Sequence, residues 1–312
     1  MFRGRFFPFS ITKRKELIVT IELKNDYLTV QFQEVGGALS SIKDKDGVEY
    51  LWQGDATYWS GQAPVLFPNC GSVRDDKALF GQKVGQLPRH GLVRKKTFQA
   101  HPVNDHQVKF TIEDTPEMFE QYPYHFKLSI LYTLKEKSIV TEYIVENLSD
   151  EVMPYFIGGH PGFNCPLLAD EAYEDYYLEF ENEETCTVPK QFPDTGLLDV
   201  QDRTPFLQGQ KTLDLDFKIF EKDAVTLDQL SSRSIRLKSK KHDKGIQLQF
   251  KDFPHLILWS TTNKGPFIAL EPWSGLSTSL EESDQFDQKR DVSFVEPKQA
   301  DQKSFVIEVL GI

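Results

Sequence analysis

Phe126-Lys127-Leu128-Ser129-Ile130 alternates apolar and polar side chains, the mark of a β-strand that buries one face. The same alternation recurs at Tyr27-Leu28-Thr29-Val30-Gln31-Phe32, at Val108-Lys109-Phe110-Thr111-Ile112 and at Ile246-Gln247-Leu248-Gln249-Phe250. Phe305-Val306-Ile307-Glu308-Val309-Leu310 closes the chain in the same way. Turn residues lie between these runs, as in Lys43-Asp44-Lys45-Asp46-Gly47, Glu146-Asn147-Leu148-Ser149-Asp150 and Thr262-Asn263-Lys264-Gly265. Helical signals are weak: Asp114 to Gln121 gives at most one short turn, and no long segment keeps a 3.6-residue period. Residues 181–235 are polar and irregular and read as excursions from the sheets. Many short strands without intervening helices predict an all-β fold, a large antiparallel β-sandwich.

The bulk numbers narrow the function. The chain has 312 residues, 39% hydrophobic and 27% charged, as in ordinary globular proteins. A net charge of −11 argues against nucleic acid as a partner, because phosphate backbones need clustered Lys and Arg. No apolar run approaches the roughly 18 residues of a membrane helix, so no membrane partner is expected. Three cysteines, Cys70, Cys165 and Cys186, fit a reducing compartment better than a disulfide framework, and a cytoplasmic location is predicted. Residues 1–18 differ from the rest: they are basic, carry Phe6-Phe7-Pro8-Phe9, and lack a signal peptide's continuous apolar region. Lys15-Glu16 can be encoded by a purine-rich, ribosome-binding sequence and Val19 by GTG. Residues 1–18 therefore read as a non-native or disordered leader, and residues 19–312 as one β-sandwich domain.

The chemistry concentrates in three places. His160 lies in Gly158-Gly159-His160-Pro161-Gly162-Phe163-Asn164, His90 in Pro88-Arg89-His90-Gly91, and Glu271 in Ala269-Leu270-Glu271-Pro272-Trp273. Glycine lets a ligand approach the backbone, so a histidine among glycines is as much a candidate acid or base as a turn residue. A carboxylate that ends the apolar run Pro266 to Leu270 either sits at the sheet rim or points into a cleft. His101, His106 and His242 sit among polar residues and read as surface side chains; His125 and His255 read as packed ones. Arg74, in Phe67-Pro68-Asn69-Cys70-Gly71-Ser72-Val73-Arg74, could hold hydroxyls with its planar fork or pair with Asp75 or Asp76. Arg89, Arg94, Lys95 and Lys96 form a basic cluster around His90, either a solvated loop or a site for an anionic group. There is no Gly-rich phosphate loop, no CxxC, HxxxH or HExxH, and no GxSxG elbow, so neither a metal nor a nucleotide cofactor is expected.

These segments, in this order and at these separations, resemble the aldose 1-epimerase (galactose mutarotase) family, and within it the LacX-type branch, from about Val19 to the C-terminus. The resemblance implies a β-sandwich of galactose mutarotase type (a supersandwich) that interconverts α and β anomers of an aldose without metal or organic cofactor. It makes Glu271 the general base, His160 the general acid, His90 a second active-site histidine near the ring oxygen, and Arg74 a substrate-binding arginine. The family's hydroxyl-binding aspartate corresponds best to Asp223, with Asp216 and Asp228 left open. Trp259 or Trp273 could offer a platform to a pyranose face, and Arg89 a contact to an anionic substituent. The expected partner is a small sugar such as galactose or glucose, with a hexose 6-phosphate as the alternative; a homodimer stays open. A non-catalytic carbohydrate-binding or regulatory protein on the same scaffold is the alternative of another class.

Overall fold

Residues 20–312 are described by a computed structural model; the expected leader lies outside them. The predicted alternation turns into one broad antiparallel sheet. Its nine strands run in the order Leu197–Asp214, Tyr176–Phe192, Ser234–Ser239, Gly245–Gln249, Ala300–Leu310, Ser138–Asn147, Phe126–Lys135, Gln107–Glu113, Gln99–Asn104. Phe126–Lys135 is a central strand: Leu128, Ile130, Tyr132 and Leu134 are buried, and Lys135 is exposed. It pairs in unbroken register with Ser138–Asn147, from Ser138 opposite Lys135 to Asn147 opposite Phe126.

A second sheet joins Val225–Leu227, His255–Trp259, Phe267–Trp273, Gly158–Gly159 and Val65–Leu66, with Gly162–Asn164 paired to Phe267–Trp273. All seven residues of Phe267–Trp273 are buried, as a strand covered on both faces must be. The two sheets meet through aromatic side chains. A Cβ on Gly159 would lie 3.1 Å from the Phe305 ring and from the Tyr143 hydroxyl, both on the large sheet. Phe67 packs on Phe126 with ring centroids 4.9 Å apart. The result is the predicted all-β antiparallel sandwich, with a third, small sheet of Thr20–Lys24, Leu28–Gln33 and Ala38–Asp44 at one side.

The short helical turn is Pro116–Gln121, capped by Thr115, whose hydroxyl accepts from the Met118 amide at 3.3 Å. The expectation for residues 181–235 needs correcting. Most of that stretch is a long hairpin, Tyr176–Phe192 with Leu197–Asp214, and the Ser234–Ser239 strand follows. Four register shifts interrupt the hairpin, between Glu179 and Lys190, and each throws the period-2 pattern out of phase. Its outer strand is a sheet edge and largely exposed, so it carries little apolar signal.

His90 and Gly91 sit where the chain doubles back onto Phe67. Both have positive φ, 67° and 78°. The Leu92 amide donates to the Phe67 carbonyl at 2.7 Å, and a Cβ on Gly91 would overlap that carbonyl. Only glycine meets both demands. Gly91→Ala is expected to lower stability by about 2–4 kcal/mol, read as the shift in urea unfolding midpoint against wild type.

Candidate active site

The smaller sheet and its loops surround a cavity of about 200 Å³. Glu271 and Trp273 come from one strand, Trp259 from the next, and His160 from the link between Gly158–Gly159 and Gly162–Asn164. Asp223 arrives just before Val225–Leu227, and His90 from the loop folded over Phe67. Strand pairing and loop return therefore gather residues that lie far apart in the chain, from His90 to Trp273. A larger open groove of about 670 Å³ lies beside the strands of the nine-stranded sheet, lined in part by Arg233, Arg236, Gln247 and Lys251. No histidine lines it, and Arg236 there is already paired with Glu179 at 3.2 Å; the smaller cavity is the one that brings His160, His90 and Glu271 together.

Glu271 is 1% exposed. Its Oε2 accepts from the Trp273 indole N–H at 3.1 Å and lies 3.3 Å from His160 Nε2. Burial drives the carboxyl well above the ordinary carboxylate range; the Trp273 hydrogen bond and the Arg89 charge offset this in part. Burial also takes His160 down to about 3, helped by the charges of Arg94 and Arg89. Both groups are thus pressed toward neutrality. They act as one unit whose proton rests on the carboxyl or, after a transfer across 3.3 Å, on the imidazole.

His90 is held differently. Its Nδ1 accepts from the Gly71 amide at 3.2 Å, and its own amide donates to the Gly71 carbonyl at 2.8 Å. An accepting Nδ1 leaves the hydrogen of the neutral ring on Nε2. Burial, then the nearby His160, Arg89 and Arg94, hold its pKa well below the usual imidazole value. His90 is a neutral donor whose ring sits 5.6 Å from both the His160 ring and the Trp273 ring.

Of the three aspartates left open, Asp223 alone lines the cavity, 3.8 Å from Arg89 at its mouth. Asp216 instead caps the 3₁₀ turn Phe217–Phe220, and Asp228 is locked between Arg203 at 2.6 Å and Arg290 at 3.4 Å. Trp259 lines the cavity as expected. Arg74 does not. Its guanidinium binds Asp284 at 2.7 Å and the carbonyls of Ser279, Leu280 and Glu282, so its donor fork is occupied in holding that loop. Two other expectations change: His125 is exposed, stacked on Phe119 and paired with Asp114, while His242 is mostly buried, 3.0 Å from Glu171.

Sequence reasoning missed Trp59 and left Arg94 inside a general basic cluster; both line the cavity. The legible signal for Trp59 is Tyr58-Trp59-Ser60-Gly61, an aromatic pair beside glycine in a polar loop.

The aldose 1-epimerase family model matches residues 19–289. The chain belongs to the aldose 1-epimerase family. It is 58% identical over 299 residues to the plasmid-encoded protein LacX of Lactococcus lactis subsp. lactis, covering 94% of this chain and 100% of that one. A galactose mutarotase-like protein from Lactobacillus casei ATCC 334 superposes with a TM-score of 0.86 at 29% identity, over 93% of this chain and 100% of that one. A galactose mutarotase related enzyme from Lactobacillus acidophilus gives 0.88 at 24% identity, over 93% and 97%. The sandwich is therefore of galactose mutarotase type.

The buried pair makes stability depend on pH. The folded pKa of His160, about 3, lies below the 6.5 of a free imidazole, so the unfolded chain binds a proton that the folded chain refuses. Taken alone, His160 costs stability as pH falls from 6.5 toward 3, but Glu271, whose folded pKa is raised, keeps a proton that the unfolded carboxylate releases above 4.5, and the two effects offset one another between pH 4.5 and 6.5. Each such group adds a slope of at most about 1.4 kcal/mol per pH unit. Urea unfolding at pH 7, 6 and 5 should therefore show stability falling toward low pH in Glu271→Gln, where His160 is left without that offset, and a smaller fall in wild type.

Proposed function

We propose that this chain catalyses the interconversion of α and β anomers of a hexose by ring opening and reclosure. The observation that carries this reading is the buried Glu271–His160 pair, 3.3 Å apart in a cavity wall and flanked by the neutral donor His90. Sugar binding brings hydroxyl dipoles into the cavity and favours the ionised form of the pair, carboxylate and imidazolium. Glu271 takes the C1 hydroxyl proton. The O1 electrons form the carbonyl, the C1–O5 pair passes to O5, and His160 protonates O5. Rotation about C1–C2 and reclosure with the roles reversed deliver the other anomer and restore the site. His90 donates from Nε2 near the ring oxygen, and Asp223 accepts from sugar hydroxyls. Membership of the aldose 1-epimerase family supports the same reaction.

Each positioned acid or base contributes about 10²–10⁴-fold in rate. Glu271→Gln and His160→Asn should each lose that much kcat for exchange of freshly dissolved α-galactose or α-glucose, followed by NMR or polarimetry. Wild-type protein that does not exceed the spontaneous rate on any such sugar would defeat the reading in favour of a binding role.

A second reading, a hexose 6-phosphate as substrate, is favoured by one observation. Arg94 lines the cavity half-buried with no acidic side chain within salt-bridge distance among the described residues, and Arg89 is only loosely engaged by Asp223. A guanidinium left without a carboxylate is a ready partner for phosphate oxygens. Under this reading, Arg89→Ala or Arg94→Ala raises KM for the 6-phosphate about tenfold or more and leaves the neutral hexose within about threefold.

A further inference from the structure

We infer that Trp59 is a positioning residue, whose indole holds the His160 imidazole in the orientation that aims Nε2 at Glu271. Its consequence for turnover rests on the acid–base reading above; the orientation itself does not. An imidazole is ordinarily oriented by a hydrogen bond on the nitrogen that does not react. His90 follows that rule through the Gly71 amide. His160 does not: Nδ1 is buried and, among the described residues, has no hydrogen-bond partner outside its own residue. Packing must do what the missing hydrogen bond would do. Three rings surround it. His90 and Trp259 meet it edge-on, at 87° and 80°, with centroids 5.6 Å and 5.5 Å away. Among the described residues, Trp59 alone lies over a face, 4.8 Å away at 32°.

Trp59, half-buried, is itself held by several neighbours. Its indole stacks on Phe267 at 5.4 Å and meets Trp259 edge-on at 5.3 Å. Its carbonyl accepts from the Trp52 indole N–H at 2.8 Å, and its amide donates to the Asp55 carbonyl at 2.9 Å. A Cβ on Gly61 or Gly162 would lie 2.6 Å or 2.9 Å from the indole, so both residues leave the space the slab occupies. The charged and titratable groups around His160 are Glu271, His90, Arg89 and Arg94. Trp59 adds no charge to that set; it closes one ring face to water and stops the ring from turning over.

The test compares wild type with Trp59→Phe, Trp59→Leu and Trp59→Ala, by anomer-exchange kinetics and by ¹⁵N-edited NMR of the histidine rings, with His160 assigned from its loss in His160→Asn. Trp59→Ala is expected to lower kcat about 10–100-fold with KM within about threefold of wild type. Trp59→Phe keeps a flat ring on the imidazole and should recover to within about threefold. The His160 ring should stay untitrated between pH 5 and 8 in wild type and in Trp59→Phe, and titrate toward 6.5 in Trp59→Ala. Should Trp59→Ala fail to fold, Trp59→Leu, which keeps bulk and loses the flat face, gives the same reading. A rise in KM with kcat unchanged would make Trp59 a sugar platform and overturn the inference, as would a His160 titration unaltered by Ala or Leu. If wild type exchanges none of the sugars, the acid–base reading falls, and the NMR titration still decides the orientation.

Discussion

The structure depends on keeping a carboxyl and an imidazole together in a nearly dry wall. Taking an isolated ion out of water costs several kcal/mol even after relaxation, so Glu271 and His160 rest there as a neutral, adjoining pair. Their 3.3 Å separation lets one proton serve both. The fully buried strand Phe267–Trp273 supplies the carboxyl, and its own Trp273 supplies the indole N–H that fixes it. Close-packed glycines let the His160 segment approach: a Cβ on Gly158 would lie 2.9 Å from the Trp273 ring. The glycine-rich wording around His160 is thus first a packing requirement, and the chemistry follows from what that packing brings together.

Much of this was legible in the sequence because both signals are local. Period-2 alternation shows wherever a strand buries one face, and Phe126–Lys135 or Ala300–Leu310 could hardly be read otherwise. Glu271, His160 and His90 stood out because turns and close approaches put glycine or proline beside them. The failures are non-local. Nothing near Arg74 announces Asp284, which lies 210 positions on and takes its guanidinium away from the cavity. Trp59 sits in a loop without period or motif, and its importance comes only from the His160 ring it covers. The long hairpin of residues 176–214 hid behind its own bulges.

Charge follows the same logic. The chain carries −11 overall, yet the cavity is lined by two arginines and one aspartate, with two histidines that burial keeps neutral. A local positive field inside an acidic protein lowers the cost of a carboxylate on Glu271 and raises that of an imidazolium on His160. The arginines therefore bias the shared proton toward leaving the pair. A bound anionic substituent would neutralise that bias and favour the imidazolium, so substrate charge and proton position are coupled through Arg89 and Arg94.

The two histidines differ for a reason that belongs to their work. A ring pinned by accepting a main-chain N–H on Nδ1, as His90 is, cannot take a second proton without giving up that bond, so it stays a neutral donor. A group that must lose a proton and regain it in each turnover is poorly served by such a pin, which favours one protonation state over the other. Aromatic faces restrain orientation without a hydrogen bond that must be broken when the ring changes protonation state, although the burial they bring still favours the neutral ring. The absence of a partner on His160 Nδ1 among the described residues, a defect by ordinary hydrogen-bond accounting, is then what lets this imidazole change charge without breaking a bond that orients it.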